Sequence, residues 1–274
     1  MATKADLFRA AFYAWAHNSR EIDSTAVLAH LNHGQRARLL EIREALNEVV
    51  ETVDIHRQNG TYTRDRLKLH QTIISRILDV ETLVRSTPRP GRRPIMMMLG
   101  GRGGSGKSWF RNRVYDEAFL VIDPDAVKAE LPGYEGWNAF AFHEESSDIV
   151  EVLVRTAAAL GLNVVLDVTM KSRAGALQKL SMFAGTHDIF IHYMFLPRID
   201  AAVRASIRAA APGGRYVPIE VILDNRDNEA VFDEARNEKS GWSFRDNLVS
   251  MGEHPKLISE YSKNTLDPQI RKPR

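Results

Sequence analysis

Residues 101–108 read Gly-Arg-Gly-Gly-Ser-Gly-Lys-Ser and directly follow the apolar run Ile95-Met96-Met97-Met98-Leu99-Gly100. This is the pattern G-x-x-x-x-G-K-[ST] at the end of a buried strand, the signature of a phosphate-binding loop. Each residue type answers a physical need. The glycines let the backbone turn and bring its N–H groups up to phosphate oxygens without side-chain clashes. Lys107 carries a positive charge to the β- and γ-phosphates, and Ser108 offers a hydroxyl to Mg²⁺. A helix beginning near Ser105–Gly106 aims its positive dipole end at the anion. The candidate nucleotide contacts are therefore Gly101, Arg102, Gly103, Gly104, Ser105, Gly106, Lys107, Ser108 and the following Trp109. The competing reading is a glycine-rich turn in an unrelated α/β protein.

Phosphoryl transfer also needs charge neutralisation and a group to receive the acceptor proton. Asp123 and Asp125 flank Pro124 after the apolar run Phe119–Ile122. One can serve Mg²⁺ or the acceptor and the other can act as base; alternatively Asp125 caps a short helix over 126–130. Asp167 closes the run Val164-Val165-Leu166, and Thr169 follows with a hydroxyl. With Ser108, Asp167 is the second candidate metal ligand. Arg204 and Arg208 lie one helical turn apart, and Arg215 follows the turn Pro212-Gly213-Gly214. Such a group suits a lid whose arginines reach a transferring phosphoryl group, or else a solvated basic helix. His143, His187, His192 and His254 have no metal-ligand spacing.

These residues need a scaffold. The chain has 274 residues, 44% of them hydrophobic, enough for one large or two modest domains. With 37 Lys+Arg against 35 Asp+Glu, charge gives no hint of a nucleic-acid or membrane partner. No cysteine is present, which excludes disulfides and thiolate metal sites. With no apolar leader or membrane-length run, the expected location is cytoplasmic. Residues 1–86 read as helical throughout, with one apolar face at Leu7, Ala11, Ala14 and Trp15 and a longer stripe from Leu39 to Val53. Asn59-Gly60 breaks the pattern, and Thr63 caps the next helix. Residues 87–94 are a connector rich in proline and arginine. Residues 95–274 alternate strands at 95–99, 119–122, 164–166 and 189–196 with helices at 106–117, 143–160, 172–184, 198–210 and 218–237. The spacing predicts an α/β fold: a parallel sheet of the P-loop NTPase or kinase type with helices on both faces, preceded by an all-helical region. In such sheets ligands bind beyond the carboxyl ends of the strands, where Lys107, Asp123, Asp125, Asp167 and Thr169 meet.

Several ordered blocks within residues 89–250 resemble the zeta-toxin family of P-loop kinases. They are Leu99–Ser108; Val121-Ile122-Asp123-Pro124-Asp125 with Lys128 and Leu131-Pro132-Gly133-Tyr134; Glu151; Gly161–Thr169; Leu196-Pro197; Arg208; and Gly214-Arg215-Tyr216-Val217-Pro218. The resemblance implies transfer of the γ-phosphoryl of ATP or GTP to a sugar hydroxyl of UDP-N-acetylglucosamine, with toxicity to the cell. It implies Asp125 as catalytic base, Lys107 as phosphate lysine, Arg208 and Arg215 as the clamp, and Asp123, Lys128, Glu151, Asp167 and Thr169 on the substrate side. It also implies a small helical antitoxin as partner. Where the family often has Glu-Gly-Thr-x-Arg, this chain has Asp167-Val168-Thr169-Met170-Lys171. That difference keeps NAD open as acceptor, since effector relatives phosphorylate it. Residues 1–86 lie outside the resemblance; they read as a restraint in cis or as a structural extension. The rival functions are a nucleoside or nucleic-acid kinase and an NTP-driven switch or interaction module. No Asn-Lys-x-Asp guanine signature and no Asp-Glu pair after a strand supports the switch.

Overall fold

The computed structural model describes residues 24–115, 117–236, 241–250 and 252–262. The stripe from Leu7 to Trp15 lies outside them. Helices α1 (Ser24–Ala29), α2 (His33–Leu46) and α3 (Thr52–His56) lead into strands β1 (Arg57–Gln58) and β2 (Thr61–Tyr62), then α4 (Arg64–Ile77) and α5 (Val80–Ser86). The hairpin corrects the expectation of helix throughout. Asn59 and Gly60 both take positive φ, 50° and 79°, the conformation a two-residue hairpin loop requires. The Leu39–Val53 stripe also splits, with Leu39 and Ile42 on α2 and Val53 on α3. Helix α2 starts from a capping box between Asn32 and Gln35. Thr63 occupies the cap position of α4, but its side chain makes no capping bond.

The chain then alternates: β3 (Ile95–Gly100), α6 (Lys107–Val114), β4 (Leu120–Ile122), α7 (Pro124–Ala129), α8 (His143–Leu160), β5 (Val164–Asp167), α9 (Arg173–Phe183), β6 (Asp188–Phe195), α10 (Arg198–Ala210), α11 (Ile219–Leu223), α12 (Asn228–Arg236), β7 (Gly241–Asp246) and β8 (Lys256–Ser262). The sheet order is β4-β5-β3-β6-β7-β8. All its pairs are parallel except β7 with β8. This is the expected α/β, P-loop kinase-like fold with an antiparallel edge added. The last two strands escaped the sequence reading because neither is a continuous apolar run. The single helix expected over 218–237 is two helices, α11 and α12.

The helices before β3 share their cores with the sheet. Ile73 of α4, 1% exposed, packs in one cluster with Met96, Met98, Leu166 and Leu153. Val27, Leu39 and Ile42 pack against Ala201, Ala205 and Ile222 at α10 and α11. Replacing Ile73 by alanine should cost about 2–5 kcal/mol of stability, because the cavity sits where the surroundings are fixed by the sheet. Urea unfolding of the full chain measures it.

Charge reinforces this docking. Glu145 of α8 is buried and accepts from Arg66 Nε at 2.5 Å and Nη2 at 2.8 Å, with His70 Nε2 at 2.6 Å. Arg57 reaches Glu144 at 2.6 Å and also contacts Asp148. Burial alone would raise the Glu145 carboxyl, but hydrogen bonds from His70, Arg66 and Thr52 outweigh it and hold the group down to about 2. A carboxyl depressed on folding stabilises above its unfolded pKa near 4.5 and loses that contribution as pH falls toward about 2. In Glu145→Gln the unfolding midpoint should therefore be lower at neutral pH and should fall less steeply between those two values than in the parent.

Candidate active site

The glycine-rich loop joins β3 to α6 with no slack. Gly104 has φ 86°, and a Cβ there would lie 2.2 Å from the Ala201 carbonyl oxygen. Gly106 has φ 87°, and a Cβ there would lie 2.3 Å from Asn247 Nδ2. Neither position admits a side chain. Asn247, just beyond β7, donates Nδ2 to the Ser105 carbonyl at 2.7 Å and its own N–H to the Phe195 carbonyl at 2.9 Å. It therefore ties the loop to the end of β6. Lys107 Nζ donates to the Gly101 and Arg102 carbonyls at 2.6 and 3.1 Å and lies 3.9 Å from Asp167 Oδ1. Ser108, one residue on, is exposed.

Asp167 at the end of β5 lies beside this lysine, and Asp123, just after β4, acts on it electrostatically. Arg111, one helical turn after Lys107, joins them with one nitrogen, 2.7 Å from Asp123 Oδ2 and 3.1 Å from Asp167 Oδ2. Sequence reading missed Arg111; its i+4 spacing from Lys107 was the available signal. Burial pushes the Asp167 carboxyl up to about 6, with Lys107 and Arg111 pulling down and Asp123 adding to the rise. Burial lowers the Lys107 ammonium, with Asp167 opposing.

Asp123 caps α7, accepting the Asp125 N–H at 2.9 Å. The cap alternative for Asp125 therefore fails. Its carboxylate contacts Arg215 Nη1 on one oxygen and lies 3.4 Å from Lys128 Nζ on the other. Lys128 is buried, which brings its ammonium down to about 8 against the pull of Asp123. Arg208 and Arg215 are both lowered by burial, and both act electrostatically on Lys107. Two cations from the α10 side are thus close enough to the phosphate-loop lysine to act on its charge, and Arg215 also contacts Asp125.

Several expected site residues have other contacts in the structure. The Arg102 side chain is 1% exposed and turns into the interior, where both terminal nitrogens meet Glu229. Only its backbone belongs to the phosphate loop. The Ser105 side chain is fully buried, so it too contributes backbone alone. Trp109 is a wall beside the loop: Arg113 lies 4.0 Å over its ring and His254 meets it edge-on at 4.9 Å. Glu151 pairs with Arg155 on its own helix at 2.9 Å, and the fully buried carboxylate of that helix is Glu145. Thr169 is exposed on the loop after β5. Arg204 holds the Val249 carbonyl at 2.6 Å and takes no place in the clamp. Among the described residues no group of three or more His, Asp or Glu side chains could hold a metal alone.

The profile of the zeta toxin family matches residues 80–236, more than half of the 274 residues. The chain belongs to the zeta toxin family. This zeta toxin homologue is 24% identical over 121 residues to the toxin zeta of Enterococcus hirae and to that of Streptococcus pyogenes. The match spans 39% of this chain and 42% of each relative, less than half of their length. Among solved structures, the AvrRxo1-ORF1:-ORF2 crystal structure with ATP superposes with a TM-score of 0.62 at 14% identity, over 78% of this chain and 77% of that one. The PezAT chromosomal toxin–antitoxin system of Streptococcus pneumoniae superposes at 0.51 and 15% identity, over 74% and 83%. At these identities the likeness is one of fold.

Proposed function

We propose that the chain is a phosphotransferase that moves the γ-phosphoryl of ATP or GTP to a hydroxyl of a small nucleotide-linked acceptor, with UDP-N-acetylglucosamine the first candidate. The observation that carries this reading is the Asp125 carboxylate. It is relieved of capping by Asp123, set beside Arg215 and Lys128, and lies beyond β4 on the edge that carries Lys107. Asp125 takes the acceptor proton as the acceptor oxygen bonds the γ-phosphorus. The bond from that phosphorus to the bridging oxygen breaks and releases the nucleoside diphosphate. Lys107 and the loop N–H groups hold the phosphates, while Arg208 and Arg215 balance the charge that develops on the phosphoryl oxygens.

Mg²⁺ fits the residues present. Ser108 and Asp167 are hard oxygen donors, one just after the phosphate-loop lysine and the other 3.9 Å from that lysine's ammonium. Bound there, the ion would neutralise the β- and γ-phosphates. Lys171 lies 3.7 Å from Asp224, so the loop that differs from the family pattern uses its cation within the protein. NAD stays the second acceptor because Asp167-Val168-Thr169-Met170-Lys171 departs from the family's Glu-Gly-Thr-x-Arg.

Toxicity, cytoplasmic action and an antitoxin partner belong to the same proposal, the last supported by the PezAT toxin–antitoxin neighbour. No described helix is long and apolar enough to cross a membrane. We read residues 24–86 as part of the kinase body rather than as a detachable restraint, because Val27, Ile42 and Ile73 fill its cores. The test is incubation of the full chain with labelled ATP or GTP and UDP-sugars, NAD or nucleosides, followed by identification of the labelled product. Hydrolysis without any labelled acceptor would favour an NTP-driven switch.

A further inference from the structure

Asn228 and Glu229, adjacent at the start of α12, are both fully buried, at 0% exposure. Neither has a part in the transfer chemistry above. The Glu229 carboxylate receives both terminal nitrogens of Arg102, one at 2.6 Å, and the Tyr193 hydroxyl at 2.8 Å. Arg102 Nε adds a bond to the Asn225 carbonyl at 2.9 Å, in the turn that leads into α12. Asn228 reaches the other way, donating Nδ2 to the Thr169 carbonyl. One dipeptide thus holds the second residue of the phosphate loop and the loop after Asp167.

The loop it holds is strained. Met170 has φ 58°, a left-handed conformation that a residue with a long side chain rarely adopts. Its sulfur lies against Gly100, where a Cβ would come within 2.4 Å. Such a residue persists only where its surroundings over-determine it. Here they are the buried Met170 side chain, the Val168 N–H bonded to Leu99 O at 3.0 Å, and the Asn228 bond on the preceding carbonyl. An apolar contact could support either loop, but it would not fix a direction. A bidentate ion pair and an amide–carbonyl bond do.

We propose that Asn228 and Glu229 are a positioning pair that sets the donor phosphate loop and the loop carrying Thr169 in register, with Glu229 bracing the phosphate loop and Asn228 governing the transfer step rather than nucleotide binding. The proposal rests on the kinase reading only for its kinetic consequence. A displacement of about 1 Å at a reacting centre can slow a reaction on the order of 10²-fold.

The test uses the full chain with Asn228→Ala and Glu229→Gln. Amide hydrogen exchange without substrates should quicken at 168–171 in Asn228→Ala while 101–108 stays as in the parent. In Glu229→Gln it should quicken at 101–108. With UDP-N-acetylglucosamine or NAD as acceptor probe, kcat for transfer in Asn228→Ala should fall roughly 10- to 100-fold. ADP affinity should stay within about threefold, and ATP hydrolysis should rise relative to transfer. Unchanged exchange in both segments would overturn the pair as a brace. Loosened loops with unchanged kcat, or losses that merely track the folded fraction in thermal unfolding, would overturn its positioning role. Parent protein that labels no acceptor would count against the kinase reading and leave the exchange result to decide the brace.

Discussion

Asp125→Asn is expected to retain nucleotide binding and to lose phosphoryl transfer by roughly 10²- to 10⁴-fold, the range a positioned general base supplies. The substitution keeps the volume and the bond to Lys128, and Asp123 still caps α7, so the fold has no reason to change. It removes the negative charge in contact with Arg215 and the carboxylate oxygens placed to take a proton there. If the carboxylate served merely to tether Arg215, that cation would be released toward the acceptor, and the change would appear in KM with kcat largely kept. The two roles therefore separate in one experiment: steady-state transfer with varied acceptor, plus titration of ADP into parent and variant. Parent-like turnover in Asp125→Asn would refute the assignment.

What could be read from the sequence was chemistry tied to local spacing. The glycines and Lys107 sit in an eight-residue pattern, and Asp123, Asp125 and Asp167 each follow a short apolar strand, so type and position fall within one window. The contacts that hold them together are not local. Arg102 and Glu229 are 127 residues apart, and nothing in either neighbourhood marks the pair. Asn247 grips the loop from 142 residues away, after a strand whose residues, Gly-Trp-Ser-Phe-Arg-Asp, carry too few apolar side chains to show as buried. The helix that carries Glu151 was legible, but its rotation was not: on 18 residues the face that turns inward shows only where Arg66 and His70 from α4 meet Glu145. Asn59-Gly60 was visible as punctuation, but its use as a hairpin needed Arg57 and Tyr62 to pair.

Lys107→Ala should have the broader effect, lowering transfer by at least about 10³-fold and weakening nucleotide binding as well, since one cation serves both ground state and transition state. Its ammonium sits among the Gly101 and Arg102 carbonyls and close to Asp167, where burial makes a charge count more than in water. Removing it also leaves Arg111 as the remaining cation in contact with Asp167. Lys107 holds the Asp167 carboxyl down against burial, so in the variant that carboxyl should titrate above its parent value of about 6. A carboxyl raised on folding stabilises fully below its unfolded pKa and loses that contribution as pH rises through the folded value. The variant should therefore lose this contribution at a higher pH than the parent. Carboxyl titration by NMR, run beside the transfer assay, distinguishes a site that has lost its phosphate charge from a protein that has lost its fold. Parent-level transfer would remove Lys107 from the mechanism. An unshifted Asp167 would show that Arg111 alone sets the charge of that carboxylate, and that the lysine belongs electrostatically to the loop carbonyls.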